Sequence, residues 1–191
     1  MRLIGLEVAL LASFAFSLFA SLVDSAGAGD DSELRRMVRE AGLVPYWSFK
    51  VVKDFSYPEV DASRQVSVRE LRGKVLLVNL WATWCPPCVR EMPSLQRLHE
   101  QFNSQGLTVL GINTSDRTDL PGIKSWLLKR NLTFLNLKGD HDGPPLVSSL
   151  NIPQTFVIDK QGRLIANKTG DYAWTSHGVQ QLVRYMLAIA D

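Results

Sequence analysis

Apolar and polar positions change their period repeatedly along this chain, and each change marks an element. Val75 to Leu80 (VLLVNL) is apolar on both alternating faces except at Asn79. That is the pattern of a central strand in a parallel sheet, buried on both sides. The spacing then predicts a helix from Pro86 to Gln105, ending near Gly106, and a second buried strand from Leu107 to Asn113. Together they form a strand–helix–strand unit, which should cross over with right-handed sense. A further helix is expected over Ile123–Arg130 and a strand over Thr133–Leu137, which reads as an inserted strand–helix unit. Thr155–Ile158 should pair with Leu164–Lys168 around the turn at Asp159–Gly162. The closing helix places Val179, Leu182, Val183, Met186 and Leu187 on one stripe, with Ser176 as its N-cap. Upstream, Leu34, Met37, Val38 and Ala41 have helical spacing and Gly42 supplies a stop. Asp54 to Gly73 alternates around the turn residues Pro58 and Asp61, predicting an N-terminal hairpin. The expected class is α/β: a central mixed sheet of four or five strands flanked by helices on both faces.

One stretch does not belong to that domain. Val8 to Val23 is continuously apolar, with Arg2 before it and Asp24, Asp30 and Asp31 after it. Small residues at Ala26–Ala28 fit the cleavage pattern of a secretory signal. Starting at Leu3 the segment reaches the length of a spanning helix, so an uncleaved membrane anchor is the other reading. In both cases the charge asymmetry sends the rest of the chain out of the cytoplasm. The division expected is a signal or anchor over 1–28, a leader over 29–49 and one globular domain over 50–191. With 191 residues and a net charge of +2, no dense run of Lys or Arg suggests nucleic acid.

The chain has two cysteines, Cys85 and Cys88, within Trp84-Cys85-Pro86-Pro87-Cys88. A bridge enclosing so short a loop adds almost nothing to stability, because loop-closure entropy grows with loop length. Reactivity explains the pair better. A C-x-x-C at the start of a helix that follows a buried strand reads as a thioredoxin-like redox motif. Unpaired N–H groups and the helix dipole favour a thiolate there. Cys85 is then the nucleophile at the exposed helix start, and the more buried Cys88 resolves the mixed disulfide. Pro86 and Pro87 are tolerated because first-turn N–H groups lack helical partners anyway. Haem attachment would need His at position 89, which is Val, and zinc needs four ligands. His99, His141 and His177 lack ligand-like spacing, so no metal or cofactor is expected.

Trp81-Ala82-Thr83-Trp84-Cys85-Pro86-Pro87-Cys88, followed by Glu91-Met92-Pro93, resembles the TlpA/ResA-like branch of the thioredoxin superfamily. Val68–Lys74 and Ile152–Asp159 extend the likeness, which covers roughly Asp54 to Leu187 and leaves the leader unassigned. The resemblance implies a thioredoxin-like fold and an extracytoplasmic, in bacteria periplasmic, thiol–disulfide oxidoreductase. Such proteins are often reductants in cytochrome c maturation or for other envelope thiols. Protein dithiols and disulfides would be the substrates, and a membrane electron donor the upstream partner.

By the same likeness, Pro153 is a cis-proline facing the cysteines, and Ile152 offers its backbone to an extended substrate. From the residues alone, Pro153 reads as an ordinary trans proline. Glu91 lies one helical turn after Cys88 on the stripe continued by Leu95, Leu98 and Phe102. That stripe faces the core near the thiols, and spacing leaves Glu91 even between a buried proton carrier and a first-turn acid that complements the helix dipole or pairs with Arg90 or Arg97. The resemblance assigns it to the site. Thioredoxins carry an aspartate where this chain has Asn79, so proton handling would fall to Glu91. Trp81 and Trp84 are expected to line the site, although a tryptophan packed near a core strand is equally ordinary, and Pro86 and Pro87 are expected in the substrate contact. The double proline also removes thiolate donors, which predicts a reducing couple. A disulfide oxidase or isomerase is the near competitor, although the segment from Leu107 to Pro153 has no room for a large helical insertion. A Cu(I) metallochaperone using the two thiolates is the alternative from another class. The sequons at Asn113, Asn131 and Asn167 are attributed to chance.

Overall fold

The computed structural model describes residues 31–61, 64–114, 117–147 and 150–189. The expected signal or anchor lies outside these residues. Among those described, no helix is long and apolar enough to cross a membrane.

The strands are β1 (Val44–Pro45), β2 (Ser56–Pro58), β3 (Gln65–Ser67), β4 (Val75–Trp81), β5 (Leu107–Asn113), β6 (Leu135–Lys138), β7 (Gln154–Ile158) and β8 (Leu164–Thr169). Helix α1 covers residues 31–40, followed by α2 (Pro86–Phe102), α3 (Leu120–Leu128) and α4 (His177–Ala188). The sheet and helices α2, α3 and α4 lie in a compact unit that begins at Met37. Six strands run in the order β1-β8-β7-β4-β5-β6. β4, β5 and β6 are parallel, while β7 and β8 are antiparallel additions on the other side of β4. Every residue of β4 and β5 is buried, the polar Asn79, Thr108 and Asn113 included, as strands covered on both faces require.

The expected hairpin forms between β2 and β3, and a short 3₁₀ turn at Val68–Leu71 follows it. Tyr57, Val66, Val68 and Leu71 cover one sheet face, packing on Val78, Leu80, Leu110, Ile112, Phe156 and Ile158. Leu95, Leu98 and Phe102 of α2 and Val179, Leu182, Val183 and Met186 of α4 are also buried.

Four expectations change in detail. The sixth strand, β1, comes from the leader, pairing Val44 with Asn167 and Pro45 with Ala166. Two residues, one of them proline, carry no detectable period. Helix α2 stops at Phe102 and tightens into a 3₁₀ turn at Asn103–Gln105, closed by Gly106 at φ 107°. Helix α3 starts three residues early because Asp119 caps it, accepting the Gly122 N–H at 2.9 Å. Pro121 fits that first turn, where no N–H is needed. Ser176 stands at the N-cap of α4 but does not cap through its side chain. Its hydroxyl is buried without a partner, so only its carbonyl starts the helix, accepting from Gln180.

Candidate active site

β4 delivers its last residue, Trp81, to the end of the sheet, where Thr114 N–H donates to the Trp81 carbonyl at 2.8 Å. Three residues of turn bring the chain to Cys85, which is itself the N-cap of α2 at φ −92°, ψ 101°. Pro86 and Pro87 follow as the first helical residues. Cys85 and Cys88 form a disulfide with S–S 2.09 Å. The Cys88 N–H donates to Cys85 Sγ at 3.3 Å, the side-chain capping bond of this helix.

Cys85 is not exposed as expected. Only 3% of it is accessible, against none of Cys88, because its sulfur is joined to that of a core residue. The accessible rim is Trp84, 60% exposed, with exposed Pro86 and half-buried Pro87 beside it. The Ile152–Pro153 bond is cis. β7 pairs Gln154 with Leu80, so Pro153 and half-buried Ile152 sit at the same end of the sheet as the turn leading to Cys85. Trp81 is a correction. Fully buried, it donates from Nε1 to Asn136 Oδ1 at 3.0 Å and stacks on Trp126, so it belongs to the core and does not line the site.

Glu91 projects inward from α2, 3% exposed. Its Oε1 accepts from Asn79 Nδ2 at 2.8 Å, and its Oε2 from Trp174 Nε1 at 2.8 Å and the Tyr172 N–H at 3.1 Å. Arg90 pairs instead with Asp171 at 3.0 Å, so the surface ion-pair reading of Glu91 does not hold. Burial pushes the Glu91 carboxyl up to about 7, against the pull of those three donors, with Asp171 adding to the rise. Asn79 also donates to Thr155 Oγ1 at 2.9 Å, tying the acid to β4 and β7. Trp174, Tyr172 and Thr155 were not singled out by sequence. A tryptophan in a polar loop was the one available signal, and nothing local says what its N–H meets. No three His, Cys, Asp or Glu side chains among the described residues come together to hold a metal.

A family model described as the AhpC/TSA family matches residues 50–167. The chain belongs to the AhpC/TSA family. This AhpC/TSA-family chain is 40% identical over 112 residues to the thiol:disulfide interchange protein DsbE of Pseudomonas aeruginosa, covering 56% of this chain and 58% of that protein. It is 26% identical over 111 residues to the thiol-disulfide oxidoreductase ResA of Bacillus thuringiensis, covering 56% and 62%. The match thus spans about three fifths of the length of these curated relatives. Among solved structures, a thiol:disulfide interchange protein of the thioredoxin family from Chlorobium tepidum superposes with a TM-score of 0.63 at 25% identity, covering 75% of this chain and 99% of that one. The fold is thioredoxin-like. The family match contains Cys85, Cys88, Glu91 and Pro153, and it excludes Ala41 before it and Tyr172 and Trp174 after it.

Proposed function

We propose that this protein is a thiol–disulfide oxidoreductase that reduces protein disulfides outside the cytoplasm. One observation carries the reading: a cysteine pair caps a helix whose next inward turn holds a buried carboxyl titrating at about 7. The names of the relatives, an interchange protein and an oxidoreductase, support the same chemistry.

In the reduced protein, the Cys85 thiolate attacks one sulfur of a substrate disulfide. A mixed disulfide forms and the substrate's other sulfur leaves as a thiolate. Cys88, deprotonated, then attacks Cys85 Sγ, closing the Cys85–Cys88 disulfide and releasing the second substrate thiolate. Two electrons pass to the substrate, and the two released thiolates take up protons. Glu91, half-ionised near neutral pH, accepts the Cys88 proton and passes it on. Trp84, Pro86 and Pro87 form the apolar contact for the substrate, and Ile152 pairs with its backbone beside Pro153. A membrane donor of electrons regenerates the dithiol. The apolar segment Val8–Val23 supports export, and the TlpA/ResA resemblance supports service to envelope thiols, cytochrome c maturation among them.

The test is reduction of insulin by the full chain, with Cys88→Ser used to trap partners on Cys85. Steady turnover and mixed disulfides through Cys85 are expected. Failure of the reduced protein to exchange electrons with any dithiol couple would overturn the reading. Fusion to alkaline phosphatase, which matures only outside the cytoplasm, tests the location independently.

A further inference from the structure

We propose that Trp174, with the backbone N–H of Tyr172, is the positioning device of Glu91: it pins one carboxyl oxygen to the strap 171–174 and leaves the other to Asn79. The inference rests on the oxidoreductase reading and extends it to residues outside the family match. Glu91 lies within residues 50–167, and both donors on its Oε2 lie beyond that range.

The strap is fastened on several sides. Trp174 is wholly buried, and its backbone N–H donates to Ser94 Oγ, one turn further along α2, at 3.2 Å. The Tyr172 ring meets Trp174 edge-on at 5.4 Å, and its hydroxyl donates to the Ala41 carbonyl at 2.7 Å. Lys168 lies over the same ring at 4.6 Å and reaches the Gly42 carbonyl at 3.3 Å. The turn that follows α1, at Ala41 and Gly42, therefore braces the strap from outside while Glu91 meets it from inside.

A tryptophan filling space would be served by any neutral acceptor for its N–H. Here the indole is aimed at a buried carboxyl, and a donor on the ionised form favours that form. Removing it should make the acid harder to ionise. The other groups facing Glu91 are few. Asp171 on the strap opposes its ionisation, Arg90 on α2 is paired to that aspartate, and Lys168 on β8 is held over Tyr172. Cys88 lies on α2 itself and Cys85 caps it, and β4 and β7 offer only neutral Asn79 and Thr155.

The experiment follows the Glu91 carboxyl carbon by NMR in the full-length oxidised protein through a pH titration, the signal being assigned by its loss in Glu91→Gln. Trp174→Phe should move the midpoint upward by about one pH unit, the size expected for a hydrogen bond to a charged group. Benzothienylalanine at position 174, which keeps the indole shape and lacks only the N–H, should reproduce that move if the phenylalanine variant folds poorly. The pH profile of insulin reduction should shift by the same amount. In a Glu91→Gln background, Trp174→Phe should leave the profile unmoved. A benzothienylalanine midpoint equal to wild type overturns the proposal. A wild type that reduces no disulfide at any pH overturns the functional reading, and the carboxyl midpoint still decides the role of Trp174.

Discussion

Restoring a single N–H at position 87 should acidify the attacking thiol measurably. Cys85 caps α2, and its sulfur takes the N–H of Cys88, the third helical residue, at 3.3 Å. An N-cap side chain can also be reached by the second helical N–H, but that residue is Pro87. Pro87→Ala supplies the missing donor. Pro86→Ala adds an N–H at the first helical position, which a cap acceptor does not use, and so serves as the control. A hydrogen bond to a charged acceptor contributes about 1.5–3 kcal/mol. Sulfur is a diffuse acceptor, so the lower end applies, about tenfold in thiolate population.

The alkylation rate of reduced Pro87→Ala, followed against pH with iodoacetamide, should therefore shift toward acid by about one pH unit. Because only the thiolate gains, the potential rises by about 30 mV where the thiol is ionised, and by less where it is protonated. Losing the proline also loosens the unfolded chain by about 0.4–1 kcal/mol. That change acts on oxidised and reduced protein alike and cancels from the potential. Equilibration with a dithiol buffer at alkaline pH measures it. If Pro87→Ala and Pro86→Ala moved the profile equally, or neither did, the account of the double proline as a device for a reducing couple would be refuted.

Other outcomes follow from the same contacts. Glu91 binds its proton more tightly folded, at about 7 against 4.5. Its stabilising effect is therefore complete at low pH and is lost as pH rises through that interval. Urea unfolding of the oxidised protein should show about 2–3 kcal/mol less stability near pH 8 than near pH 5 from this group, and Glu91→Gln should flatten the difference. Gly111→Ala would drive a methyl into Asn136 Oδ1 and Trp81 Nε1, breaking the bond between them. A loss of about 1–3 kcal/mol in the same assay is expected. Trp84→Ala should leave stability within about 0.5 kcal/mol, since the ring is 60% exposed. It should slow reduction of a protein disulfide about tenfold while sparing a small one, as an exposed aromatic anchor for a partner would.

The elements that sequence placed best are those whose signal is local. β5 runs over Leu107–Asn113 as expected, because a mostly apolar run bounded by Gly106 and a polar stretch has one sensible length. The cysteines were legible from spacing alone, since so small a loop has no structural use. The failures share a cause in distance. β1 exists only because Asn167 and Ala166 are there to pair with it. The stripe placed Glu91 facing the core, where it is found, but its role could not be read, because Arg90 and Arg97 offered equally good local partners. Donors 81 and 83 residues along the chain hold its outer oxygen, and no periodicity connects such positions. Trp81 misled for the opposite reason. Its place beside the motif suggested the site, while Asn136, 55 residues later, claims it for the core.

Asn79 shows why the site takes this form. Its two amide hydrogens are committed to Glu91 and Thr155, and its Oδ1 is buried without a partner. An orphaned acceptor costs about 1–3 kcal/mol, on top of the cost of ionising a buried acid. A carboxylate at position 79 would remove neither cost. It would stand within hydrogen-bonding distance of Glu91, and two such acids cannot both ionise, so they would share one proton and split their titrations apart. An amide leaves a single acid with a single midpoint near neutrality, where a proton can be both taken from a thiol and given up again. An orphaned oxygen and a buried acid gathered at one point are what a site with the proposed thiol chemistry would retain, at the expense of the stability an apolar pair would have supplied.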